Sequence, residues 1–301
     1  MEQRTKPYLL TGGLVALLEN RHGFQLRQET QRRLRELEVV YANELAKLLD
    51  GRKDKDDKGD FVWQVKFISD NEIEDSLAGI LIGSKQGLAR RPLVSFDDVY
   101  GQKFPDTHYD ITRMQDPNKI SESPVLSPRF NAPSLDLQAE GIAACYGSEV
   151  DIMDIGAFGG DTLCDEILGR FKNAGLKVRN VNLVFAGQEA IQKLTNLGVK
   201  VNYAHTFDWV DWLELRDCIG FDGRKVKMPS VEERPDNLFV RYTERASSWA
   251  SIPEEFVQDY KRMYDFYFNS IGDVLAGEGL SASLTKSKEN ELVYELRLKR
   301  L

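Results

Sequence analysis

Residues 150–168 read VDIMDIGAFGGDTLCDEIL. An apolar run carries an acid, Asp154, near its end. Gly156, Ala157, Phe158, Gly159 and Gly160 follow, and Asp161 and Thr162 open a helical pattern. A loop between a strand and a helix presents backbone N–H groups at the helix N-terminus. Unpaired donors and the helix dipole both favour an anion there. The glycines reach backbone conformations other residues resist and let a ligand approach closely. Thr162 can add a hydroxyl or cap the helix. Asp154, at the carboxyl end of a strand, suits ribose hydroxyls or a hydrated Mg²⁺. The plainer alternative is a tight turn, with the glycines serving the chain alone and Asp154 capping the helix.

The spacing G-A-F-G-G does not match the G-x-G-x-x-G of dinucleotide sites. As a string, DIGAFGGDT resembles the first motif of S-adenosylmethionine-dependent methyltransferases. That resemblance implies an acid at the end of the next strand, which here reads VFAGQE and puts Glu189 33 positions after Gly156. The mid-chain position also leaves little room for a seven-stranded sheet.

The stretch also resembles the signature of type I phosphoribosyltransferases, an apolar strand, acids, small residues and a closing threonine. Asp154 falls on the first acid, Gly160 on the first loop glycine and Thr162 on the threonine. The continuation through about residue 205 is similar as well, and some divergent members are associated with bacterial conflict and defence systems. The resemblance implies that Asp154, Gly156, Ala157, Phe158, Gly159, Gly160, Asp161 and Thr162 hold phosphoribosyl pyrophosphate or a nucleotide. It makes Asp154 a candidate Mg²⁺ contact. It directs attention to Lys85, Arg90 and Arg91 in IGSKQGLARRP for the pyrophosphate, and to Trp209 or Tyr203 as a platform for a base. The implied activity is a glycosyl transfer, ribosyl-5-phosphate moving to a nitrogenous base with Mg²⁺. Ile155 stands where the family has a second acid, and Asp161 stands where it has a glycine. Both changes favour an alternative, a catalytically inactive nucleotide-sensing or scaffold protein of an antiviral defence system. Its partners would be proteins of the same operon or further copies of itself.

The surrounding elements must position this loop. Strand and helix patterns alternate from LDLQAEGIAACYG through VKVNYAH, which implies a parallel sheet with helices on its faces. The expected fold is α/β, a parallel sheet flanked by helices. It has a phosphoribosyltransferase-like core, N-terminal helical additions and C-terminal helix and strand additions. Residues 1–60 form an N-terminal helical region with a charged loop, and 61–301 the α/β domain with irregular insertions at 97–134 and 218–252. Within the first part, Leu34, Leu37, Val40, Tyr41, Leu45 and Leu48 recur at helical spacing over 26–49. The run DGRKDKDDKGD, 50–60, reads as a solvated loop. FVWQVKFI reads as a strand, NEIEDSLAGILIG as a helix, RPLVSFDD as a short strand. PEEFVQDYKRMYDFYFNSIGDVLAGEG reads as a long helix with Pro253 at its first position.

Composition narrows the function classes. Lys+Arg number 40 against 48 Asp+Glu, a net charge of −8. Such a surface repels polyanions and argues against general nucleic-acid binding. No apolar run approaches the ~20 residues that cross a bilayer. The N-terminal stretch is a poor signal peptide, broken by Gly12 and Gly13. Cys145, Cys164 and Cys218 are odd in number and far apart. They suggest neither a zinc site nor a disulfide framework, and the default setting is reducing and cytoplasmic. His22, His108 and His205 lack metal-ligand spacing, and Cys164 reads as a helix cysteine near the loop.

Overall fold

The computed structural model describes residues 5–21, 23–49, 53–56, 59–84, 91–114, 125–129, 132–208, 210–215, 220–221, 245–247, 250–251, 257–281, 295–296 and 299–300. Pro253 and most of the 218–252 insertion lie outside them.

In chain order, β1 (Thr5–Thr11) leads through Gly12 and Gly13 into a short helix, α1 (Leu14–Ala16), which continues as a π turn, Leu17–Arg21. The helix α2 (Gln28–Leu49) precedes a hairpin of β2 (Lys53–Asp56) and β3 (Gly59–Ile68). After α3 (Asp70–Ser84) come β4 (Leu93–Ser95), β5 (Thr107–His108), and a second hairpin, β6 (Ile111–Met114) with β7 (Val125–Pro128). Then α4 (Leu135–Tyr146), β8 (Glu149–Ala157), a π turn at Thr162–Ile167, α5 (Leu168–Asn173), β9 (Lys177–Gly187), α6 (Gln188–Asn196) and β10 (Lys200–Phe207) follow. The chain closes with β11 (Asp211–Glu214), α7 (Val257–Ala276) and short strand pairs.

Two sheets result. The first is parallel throughout, in the order β10-β9-β8-β4-β5. The fold is therefore α/β, a parallel sheet flanked by helices. Its central strands are apolar on both faces, as a sheet covered on both sides requires. Val150, Ile152, Val181 and Leu183 meet α4, α5 and α6, which contribute Ile142, Phe171 and Leu194. Met153, Ile155 and Val184 face the other way, towards Ile73, Leu77 and Leu81 of α3.

The second sheet has the order β11-β1-β3-β2, parallel except for the β2-β3 hairpin. Tyr8 and Leu10 pack under α2 and α7, while Leu9 joins the core shared with α3 and the parallel sheet. The alternation along β1 thus ties the two sheets together. The division expected at residue 60 falls within β3, whose Val62–Ile68 pair with β1. The charge run 50–60 is not a free loop, because Lys53–Asp56 pair with Gly59–Val62 in antiparallel register. Among the described residues of 97–134, Thr107–His108 form an edge strand and Ile111–Met114 pair with Val125–Pro128.

The stripe on α2 holds one surprise. Val40 is 44% exposed, and the acid Glu38 takes its place in the core with Leu34, Tyr41 and Leu45. Glu38 is fully buried, and its Oε1 accepts a hydrogen bond from Leu14 N at 2.9 Å, closing the turn after β1. Among the described residues its Oε2 has no hydrogen-bond partner, and it would lie 2.7 Å from a Cβ at Gly12. Burial, with the nearby Asp70 carboxylate, pushes the Glu38 carboxyl up to about 8. A folded-state value above the unfolded one adds stability below the unfolded value and loses it as pH rises through the folded value. Wild-type stability is therefore expected to fall between about pH 4.5 and pH 8, by an amount on the order of 4 kcal/mol. Urea unfolding of Glu38→Gln at pH 5 and pH 9 should show most of that slope gone.

Candidate functional site

The loop after β8 lies at the carboxyl edge of the parallel sheet. There β4 and β8 are neighbours although β5 to β7 and α4 intervene in the chain. From this pair the strand order runs in opposite directions, and ligands of open α/β sheets bind outside the carboxyl ends at such a switch point. Asp154 is partly buried there, and its Oδ1 accepts from Ile155 N at 2.8 Å. Ile155 is 1% exposed in the core against α3.

Helix α6 shapes the loop. Ala190 N donates to Phe158 O at 3.0 Å, and Lys193 Nζ donates to Gly159 O at 2.9 Å. Two successive carbonyls are thus drawn towards α6. In trans peptides the N–H points opposite to the preceding carbonyl. The amides of Gly159 and Gly160 are therefore turned away from α6, and neither donates a hydrogen bond to any group among the described residues. Both glycines are partly exposed. Successive free amides in a turn form an anion-accepting concavity.

The glycines also have a packing role. Gly160 has φ +79°, and a Cβ there would sit 2.9 Å from Ala190 Cα. A Cβ on Gly187 would meet Phe158 O at 2.4 Å, and one on Gly156 would meet the Trp212 ring at 3.2 Å. Trp212 of β11 packs on Phe158 with centroids 5.4 Å apart, and its indole N–H donates to Thr11 Oγ1 at 3.1 Å. The second sheet is in this way seated on the loop.

Asp161 is the charge that looked least suited to an anion site. Its carboxylate is ion-paired with Lys193, which also reaches Glu189 Oε1 at 3.0 Å. Thr162 begins a π turn instead of a regular helix, with Cys164 N donating to Gly160 O at 2.7 Å. Single π turns inside helices recur at functional sites. Cys164 is not activated by the helix end. Burial raises its thiol, and Asp165 adds to the effect.

The fold brings residues 154–162 together but not all the outlying candidates. Arg91 is not at the loop. It pairs with Asp151 Oδ1 at 2.9 Å, at the amino end of β8, and six extended residues separate Asp151 from Ala157, roughly 20 Å. Lys85, Arg90 and Trp209 lie outside the described residues. Tyr203 is 42% exposed on the edge strand β10, two strands from β8. His205 stacks on Phe185 at 5.7 Å, and burial, then the Lys66 ammonium, lowers its pKa.

Two cations escaped sequence reasoning. Arg129 meets Asp98 Oδ1 at 2.7 Å and Phe96 O at 2.9 Å, at the carboxyl end of β4. It sits in a proline-rich segment without period, so no pattern marks it. Lys193 follows Glu189 by four positions on one helix, a spacing that does mark a pair. Among the described residues no group of three or more His, Cys, Asp or Glu is placed to hold a metal ion, and no helix is long and apolar enough to cross a membrane.

No protein-family model and no curated protein matches the chain. Among solved structures, it is similar to an orotate phosphoribosyltransferase from Aeropyrum pernix. The TM-score is 0.30 at 10% identity, over 55% of this chain and 93% of that one. It is also similar to the Mycobacterium tuberculosis H37Rv orotate phosphoribosyltransferase in complex with Fe(III) dicitrate. There the TM-score is 0.30 at 11% identity, over 56% of this chain and 97% of that one. At such scores neither likeness bears on the roles of individual residues.

The packing makes a direct stability test. Gly160→Ala and Gly187→Ala should each destabilise by about 1–3 kcal/mol in urea unfolding. Gly159→Ala, whose nearest neighbour is the Asp161 carboxylate at 3.4 Å, should cost less than about 1 kcal/mol.

Proposed function

We propose that this protein binds a phosphorylated ribosyl compound, phosphoribosyl pyrophosphate or a nucleotide, at residues 154–162. The observation that carries the reading is the pair of amides at Gly159 and Gly160, which donate to no group among the described residues and lie at a switch point of a parallel sheet. The phosphate would take these amides, with the Thr162 hydroxyl beside them. Asp154, at the end of β8, would take ribose hydroxyls. Mg²⁺ is commonly held by one or two carboxylates together with substrate phosphates and waters. Asp154 fits that pattern as a single protein ligand, so the ion would arrive with the phosphorylated compound and neutralise its charge.

If the protein is an enzyme, it transfers ribosyl-5-phosphate to a nitrogenous base. The chain's own part is then to hold the 5′-phosphate and ribose in one orientation. A second reading, a nucleotide sensor without catalysis, is favoured by Ile155. The position where the resembling family carries a second acid is a core residue packed against α3. The defence association implied by the sequence resemblance belongs to this second reading.

Isothermal titration should detect phosphoribosyl pyrophosphate with Mg²⁺ or a nucleoside monophosphate. Asp154→Asn should weaken that binding by at least about tenfold while leaving urea unfolding nearly unchanged. Pyrophosphate release on adding a nitrogenous base would distinguish enzyme from sensor. Binding of S-adenosylmethionine alone would overturn both readings.

A further inference from the structure

We propose that Lys193 is a positioning residue that makes an acidic loop fit for an anion; this role rests on the reading of 154–162 as a phosphate site. Its ammonium touches three groups: Gly159 O at 2.9 Å, the Asp161 carboxylate, and Glu189 Oε1 at 3.0 Å. The first contact fixes the Gly159–Gly160 peptide, so that the Gly160 amide faces away from α6. The second engages the one carboxylate inside the glycine loop and offsets its charge. Without Lys193, that carboxylate would be free to turn towards the loop's mouth and repel a phosphate. The third contact, one helical turn back on α6, holds the lysine stem against its own helix.

Lys193 is one-third exposed and Asp161 largely exposed, so the pair adds little to stability. Its worth lies in where it holds charge and carbonyl. Asp161, then Glu189, raise the Lys193 pKa.

The test uses the full chain, with ribose 5-phosphate as the probe in isothermal titration and hydrogen exchange as a ligand-free readout. Lys193→Met should weaken binding by about 10- to 30-fold, and Asp161→Asn alone should tighten it a few-fold. The double variant should regain most of the loss, because the repelling charge has gone with its partner. Wild-type affinity in Lys193→Met overturns the proposal. So does a double variant as weak as Lys193→Met whose exchange rates match the wild type, since Lys193 would then contact the anion itself.

Exchange at Ala190 and Cys164, whose amides tie the loop to α6 and to the π turn, should quicken by about tenfold or more in Lys193→Met. Unchanged rates overturn the positioning role whether or not a ligand binds. If the wild type binds neither ribose 5-phosphate nor phosphoribosyl pyrophosphate with Mg²⁺, the phosphate reading fails, and the exchange rates still decide whether Lys193 sets the loop.

Discussion

The backbone of Phe158 lies against Gly187 so closely that no side-chain carbon fits between them. Much of the edge of the parallel sheet depends on that contact. It lets the end of β8 and the start of α6 share a hydrogen bond, Ala190 N to Phe158 O. It puts Lys193, one turn further along α6, within reach of the next carbonyl. Beside it, Gly160 lies in a left-handed conformation against Ala190. With their carbonyls held back, two amides are left facing outward. A turn packed for steric reasons and a turn suited to an anion are thus the same turn, so the two readings of the glycines are not exclusive.

The same edge joins the two sheets. Trp212 reaches from β11 over Gly156 and Phe158, while Leu9 of β1 and Ile73 of α3 enter the core that holds Ile155 and Phe185. The loop is therefore braced from two sides, by α6 below the glycines and by an indole over Gly156. Under the proposed reading, bracing of this kind would lower the ordering cost of association.

Much of the parallel sheet was legible in the sequence because its strands are buried on both faces and alternate with amphipathic helices. The alternation from LDLQAEGIAACYG through VKVNYAH left few alternatives. The second sheet was harder to read. Its strands come from residues 5–11, 53–68 and 211–214, and parallel pairing across some 200 residues leaves no local mark. The charged hairpin β2-β3 resembles a solvated loop because an edge strand tolerates charges. Of the site, the loop and its acid were visible as a motif, and Ile155 stood out where an acid was expected. What could not be read was direction. The resemblance directed attention to Arg91 for the pyrophosphate, but it precedes β4 and pairs with Asp151 towards the amino end of β8. Asp161 looked repulsive until α6 brought Lys193 across it. Both outcomes turn on tertiary neighbours that no spacing encodes.

The central claim is that Gly159 and Gly160 offer their amides to an anion. Backbone amide NMR during titration with ribose 5-phosphate tests it most directly. The account predicts saturable shifts that are largest at Gly159, Gly160 and Thr162, with Asp151 and Arg91 at the opposite end of the sheet unmoved. Saturable shifts elsewhere, with those glycine amides unchanged, would contradict it.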